Sequence, residues 1–212
     1  MDLQNNYWEW EEKTDLYYQE NIVNFFNKYT TVLHEVEEVF KSFDTKEIDE
    51  FITAVINANK IVGYGAGRMG FGLKAFMMRL NHLGKNAYFM TDNYVPPMDS
   101  NDLFIVTSGS GKTKSVLSFL EIAISKAKCN TLAITGDENS PMASIANLHI
   151  KFKTCNGGLN SEDNFDKYNS IQPMTTLNEQ VMFIFFDIIT LMIIERMNIN
   201  LKDTKKFHSN IE

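Results

Sequence analysis

The chemistry-bearing residues concentrate in one stretch, Asn101-Asp102-Leu103-Phe104-Ile105-Val106-Thr107-Ser108-Gly109-Ser110-Gly111-Lys112-Thr113-Lys114-Ser115. An apolar run suited to a buried parallel strand gives way to small hydroxyl residues, and these lead into a helical pattern at Val116, Leu117, Leu120, Ala123 and Ile124. The free amides and positive dipole end of such a helix favour an anion, and Gly109 and Gly111 let the backbone approach it. Ser108, Ser110 and Thr113 add hydroxyl donors, while Lys112 and Lys114 add charge. An N-cap needs only one Ser or Thr, so three of them within positions 108–113 point to a phosphate cradle. A second glycine-rich turn, Gly65-Ala66-Gly67-Arg68-Met69-Gly70, fits the dinucleotide fingerprint, with Asp92 placed as a ribose-binding acid would be. Two features oppose a nicotinamide enzyme: more than forty residues precede the first strand, and the stronger phosphate loop follows the third strand. Cys129 and Cys155 have no partner at metal-ligand spacing, and no metal or cofactor is expected.

The elements that must position these residues alternate. Apolar positions Ile22, Val23, Phe25, Phe26, Leu33, Val36, Val39 and Phe40 predict a long amphipathic helix over 21–43, and a second helix is expected over 46–57. Strands are expected at 60–63, 87–90, in the run before Ser108, at 131–135 and at 148–152. Helices are expected at 71–83, after the cradle, and from Ser140-Pro141 to about Ala146. A polar loop over 154–172 and Pro173 precede a long C-terminal helix, about 174–197. This pattern predicts an α/β fold with a doubly wound parallel sheet of five strands, binding ligands at the carboxyl ends of its strands. Residues 1–19 read as an acidic, aromatic arm, and 20–212 as a single domain.

The net charge of −7 argues against nucleic acid or an anionic membrane as partner. The N-terminus lacks a basic start and apolar core, so a cytoplasmic protein is expected. The most apolar segment, 181–194, is short for a membrane span and carries Asp187 and Thr190.

Several segments occur in an order that carries a resemblance: Gly65-Ala66-Gly67-Arg68; Ala75-Phe76-Met77-Met78-Arg79-Leu80-Asn81-His82-Leu83-Gly84; Ser108-Gly109-Ser110-Gly111-x-Thr113; Ser140-Pro141-Met142-Ala143; Pro173-Met174-Thr175-Thr176-Leu177-Asn178-Glu179; and His208-Ser209-Asn210-Ile211-Glu212. From about residue 20 onward the chain resembles the sugar isomerase (SIS) domain family, and within it the 6-phospho-3-hexuloisomerase branch. The resemblance implies a flavodoxin-like fold, a homotetramer or dimer with shared active sites, no metal, and interconversion of 3-hexulose 6-phosphate and fructose 6-phosphate. It implies phosphate held by Ser108, Gly109, Ser110, Gly111, Lys112 and Thr113, with Gly67, Arg68 and Arg79 beside the substrate. Glu179 becomes the candidate base for a cis-enediol mechanism, and His208 the group that moves oxygen protons, since imidazole titrates near neutral pH. Arg79 lies on an otherwise apolar helix face with Phe76 and Leu83, where burial without a partner would be costly, whereas His82 reads as a packing residue. The sequence departs from the family at Lys112, Met69, Thr175 and Asn178, where Glu, Ser, Gly and Phe are usual. The first two favour phosphosugar binding over turnover, so a non-catalytic phosphosugar-binding module is the alternative, and a nicotinamide-dinucleotide-binding protein the more distant one.

Overall fold

In the computed structural model, which describes residues 7–152, 170–208 and 211, five parallel strands form one sheet. They are β1 (Lys60–Gly65), β2 (Asn86–Phe89), β3 (Leu103–Thr107), β4 (Asn130–Thr135) and β5 (Leu148–Lys151), in the order β2-β1-β3-β4-β5. The order reverses between β1 and β3, so the turns that follow these two strands lie side by side at the carboxyl edge. Gly65 is in register with Thr107, and Thr107 with Ile134.

Both faces of the sheet are covered, which is why β3 is apolar and buried throughout. Leu103 and Ile105 face one core together with Ile61, Leu132 and Ile134. That core is closed by α2 (Thr45–Asn57), α3 (Gly67–His82) and α6 (Thr176–Arg196). Phe104 and Val106 face the other core, which α4 (Lys114–Ile122) and the short α5 (Pro141–Ile145) complete. Asp102, fully buried at the start of β3, ties the amino edge: it accepts from Lys60 N at 3.0 Å and Asp99 N at 2.7 Å and pairs with the Lys60 ammonium at 3.1 Å.

The first helix, α1, runs unbroken from Tyr7 to Phe40, so most of the expected arm is its opening turns. Among its described side chains, the last turns join the core, through Val36 and Val39. Ile22, Val23, Phe25, Phe26 and Leu33, expected on a packed face, are exposed instead. Helix α6 lies where the C-terminal helix was expected, but its apolar stretch is longer than 181–194. It is 21 residues long and, by length and composition, apolar enough to cross a bilayer, with a mean hydropathy of 1.8 over its best window, half of which is buried within this domain. After α6 come α7 (Leu201–Thr204), a single 3-10 turn (Lys205–Phe207) and His208. The expected polar loop lies largely in 153–169, which with Cys155 falls outside the described residues.

Two contacts set the carboxyl edge. A Cβ on Gly70 would overlap the Gly65 carbonyl oxygen, and one on Gly65 would strike Thr107 Oγ1. The glycines of the fingerprint-like turn therefore let α3 lie flush on β1 and β3. Asp92, the expected ribose acid, accepts from Phe89 N at 2.8 Å and pairs with Lys74 at 3.0 Å. The second contact fixes the start of α6. Glu35 of α1 accepts from Ile171 N at 2.8 Å, Ser170 Oγ at 2.7 Å and Gln172 Nε2 at 2.9 Å.

Substituting Gly70→Ala is expected to cost about 1–3 kcal/mol through overpacking, read as a lower urea midpoint. Glu35→Ala should cost less, about 0.5–1.5 kcal/mol, by removing those hydrogen bonds, and should speed amide exchange at 170–172. Unchanged exchange there would show that α1 does not hold the approach to α6.

Candidate active site

The cradle is a loop whose carbonyls are taken by the protein. Ser108 N donates to Ile134 O at 3.1 Å, and Gly111 N donates back to Ser108 O at 3.1 Å. Gly109 O accepts from Gly136 N at 2.9 Å and Thr135 Oγ1 at 3.4 Å, and Gly111 O accepts from Met142 N at 3.3 Å. Gly111 has φ +60°, and a Cβ there would overlap Ser140. Ser140 is needed where it stands, because its hydroxyl caps α5 by accepting from Ala143 N at 3.2 Å.

Thr113 is the N-cap of α4, but its side chain makes no capping bond. Its hydroxyl pairs instead with Ser108 Oγ at 2.9 Å, closing the loop across five residues. The first-turn amides of α4, which have no intrahelical acceptor, are thereby left for an outside anion. Ser110 Oγ accepts from Lys112 N at 3.3 Å. The Lys112 ammonium, expected to face the anion, is paired with Asp137 Oδ2 at 3.2 Å and is largely exposed.

The start of α6 faces this loop. Glu179 has a side chain only 11% exposed, and its Oε2 accepts from Arg68 Nε in the first turn of α3. Thr175 Oγ1 donates to Glu179 Oε1 at 3.0 Å. Asn178, one residue earlier, lies against Gly109: a Cβ on Gly109 would come within 2.6 Å of Asn178 Nδ2. Cradle, Arg68 and Glu179 therefore gather at one edge, with Gly67 opening α3 beside them. Arg68 Nε fixes one carboxylate oxygen and Thr175 the other, which gives Glu179 a defined orientation.

Arg79 and His208 form a second group, with His82, at the opposite end of α3. Arg79 is exposed, and its Nη1 lies 3.4 Å from His82 Nδ1. The His82 and His208 rings are 5.2 Å apart. These residues, with Leu83, Ile194, Thr204 and Lys205, line a cavity of about 420 Å³. Phe207 seats the tail by packing on Gly84, whose φ of +81° ends the helix turn. Along α3, Arg79 lies eleven positions and His82 fourteen positions beyond Arg68, roughly 16–21 Å at 1.5 Å per residue. Within one chain His208 therefore does not meet Glu179. Sequence reasoning placed His82 in the packing and gave no role to Thr175 or Asp137. His82 had a visible signal, its place three residues after Arg79; the long-range partners of the others had none.

The SIS domain model matches residues 54–162, which span all five strands and the cradle. The chain is 30% identical over 186 residues to the 3-hexulose-6-phosphate isomerase of Bacillus subtilis, covering 85% of this chain and 95% of that protein. It is 32% identical over 178 residues to the protein of the same name from Methanocaldococcus jannaschii, covering 82% and 91%. A solved structure from Methanococcus jannaschii, described as inferring a molecular function of 3-hexulose-6-phosphate isomerase, superposes with a TM-score of 0.70 at 29% identity, covering 87% of this chain and 97% of that one. With the strand order, the cradle and these likenesses in agreement, the chain belongs to the SIS domain family.

Proposed function

We propose that the protein is a sugar phosphate isomerase that interconverts 3-hexulose 6-phosphate and fructose 6-phosphate. One observation carries this: a donor-lined phosphate cradle faces a carboxylate that Arg68 and Thr175 hold in place. The relatives bearing the isomerase name support the choice of substrate.

The phosphate sits on the amides and hydroxyls of Ser108, Ser110 and Thr113, at the α4 N-terminus. Glu179 takes the proton from C2 of the 3-ketose, and the released electron pair forms the C2=C3 bond while O3 gains a proton. In the cis-enediol that results, O2 then gives up its proton as the C2 carbonyl forms, and C3 receives a proton from Glu179. Arg68 stabilises the enediolate charge and orients the base. No step is assigned to a metal.

Oxygen protons are assigned to His208 of a second copy. Helices α3 and α6 run side by side in the same direction, since Arg68 meets Glu179 at one end and Leu83 meets Ile194 at the other. Their outer surface is apolar: Phe71 is 71% exposed, Phe183 50% and Leu191 58%, with Met78, Ile184 and Ile188 also exposed. Patches of this kind mark interaction surfaces. A twofold axis across this face, perpendicular to the helices, sets the partner's α3 antiparallel and brings its Arg79, His82 and His208 group toward Arg68 and Glu179. The exposed stripe on α1, from Ile22 to Leu33, supplies a further surface for assembly into a tetramer. The isomerase reading places the protein in the cytoplasm, with α6 packed in the domain and between copies.

Glu179→Gln should lower turnover of 3-hexulose 6-phosphate by roughly 10²–10⁴-fold with fructose 6-phosphate affinity retained; undiminished turnover removes Glu179 as base. Ser110→Ala with Thr113→Ala should raise the KM roughly a hundredfold, two hydrogen bonds to a charged group at about 1.5 kcal/mol each. Mixing inactive Glu179→Gln and His208→Ala proteins under subunit exchange should restore part of the activity, and no recovery would place the two groups in separate sites. Wild-type protein that binds fructose 6-phosphate but forms no 3-hexulose 6-phosphate from it would be the non-catalytic module instead.

A further inference from the structure

The first turn of α6 carries a nearly buried polar side chain that no other described residue engages. Asn178 is 4% exposed, between Leu177 and Glu179 and one turn from the buried Val181. Eight polar or charged residues are buried to this degree among the described residues, and the side chains of the other seven have partners. Asp102 is held by two amides and an ammonium, and Thr131 and Asn147 bond each other. The carboxamide of Asn178, with two N–H donors and an acceptor oxygen, makes no hydrogen bond among the described residues. Its polar atoms are not cut off from solvent, since among the described residues only Gln180 Oε1 is fully buried without a partner, so the amide stays open to a ligand and its role calls for an explanation.

The position supplies one. Asn178 lies directly over the α-carbon of Gly109, the second residue of the cradle, close enough that any side chain at 109 would collide with it. Its neighbour in sequence is Glu179, whose carboxylate is turned to Arg68. The carboxamide thus stands between the place where phosphate is gripped and the place where a proton is taken. A phosphosugar spanning those two points runs its carbon chain past it, and the oxygen substituents of that chain are the groups an amide can pair with.

We propose that Asn178 is a substrate-contacting specificity residue, whose carboxamide hydrogen-bonds a hydroxyl of the sugar chain between the phosphate and the reacting carbons. The proposal rests on the phosphosugar reading of the cradle and adds the recognition of a polyol chain as distinct from a bare anion. A site built to bond a hydroxyl discriminates strongly against ligands that lack it, because the buried amide is then left unpaired.

The test is calorimetric titration of fructose 6-phosphate and, separately, inorganic phosphate into the wild-type protein, Asn178→Leu and Asn178→Ala. Leu keeps the volume and Ala adds no bulk, so a folded variant, confirmed by its thermal unfolding, is available from one or the other. The expected result is a loss of fructose 6-phosphate affinity of about tenfold or more, with inorganic phosphate changed less than about twofold. Equal fructose 6-phosphate affinity in wild type and variants overturns the proposal and leaves Asn178 a packing residue. An equal loss for both ligands also overturns it, since Asn178 would then shape the cradle rather than read the sugar. Wild-type protein that binds neither ligand removes the phosphosugar reading itself, a failure distinct from the other two.

Discussion

At the carboxyl edge of the sheet three pieces of backbone meet with no room for a Cβ. Gly65 and Gly70 close the gap between β1 and α3, Gly109 admits Asn178 of α6, and Gly111 turns the cradle against Ser140. Everything that can do chemistry depends on this clearance. With it, the first turns of α3, α4 and α6 converge, and each brings the positive end of its dipole to the same small volume. An anion there meets amides and hydroxyls already in place, and the basic side chains add to a field the backbone has established.

The cradle was legible in the sequence because its chemistry is local: strand, small hydroxyl residues and helix follow within fifteen positions, and two of the bonds that close the loop, Gly111 N to Ser108 O and Ser108 Oγ with Thr113 Oγ1, join near neighbours. The five strands and the winding of the sheet were legible for a related reason, since burial on both faces leaves continuous apolar runs such as Leu103 to Val106. What failed was whatever depended on distant partners or on another molecule. Helix α1 is longer than the periodicity predicts: among its described side chains, those before Val36 are largely exposed, and periodicity is only a guide where one face is buried at home. Lys112 was assigned to the anion because its tie to Asp137, on a different loop, leaves no trace in spacing. Arg79 has apolar neighbours in sequence, yet Met78 and Phe71 on the same helix are exposed, so that outer face is apolar without being core. The pairing of Arg68 with Glu179 crosses 111 positions and became visible only once the chain was folded.

The turn that resembles a dinucleotide fingerprint shows how one spacing can serve two ends. In a nucleotide site the glycines make room for a pyrophosphate. Here Gly65 and Gly70 make room for each other, and Asp92 is spent on Phe89 N and Lys74. Burial alone would push the Asp92 carboxyl up, but the amide bond and the ammonium together bring it below the ordinary carboxylate range. The spacing is a statement about how closely a helix can approach a strand, and what fills the space is decided elsewhere.

Helix α6 alternates between two duties within a single turn: Leu177 and Val181 fill the core while Asn178 and Glu179 look toward the cradle. Since successive residues are about 100° apart around the axis, any twist that accommodates a bulkier core residue swings the carboxylate by the same angle. Changes to the interior and changes to the reactive edge are consequently inherited together. Descendants of this chain can vary freely along the exposed loops, but along α6 the lineage must solve stability and reactivity with the same mutation.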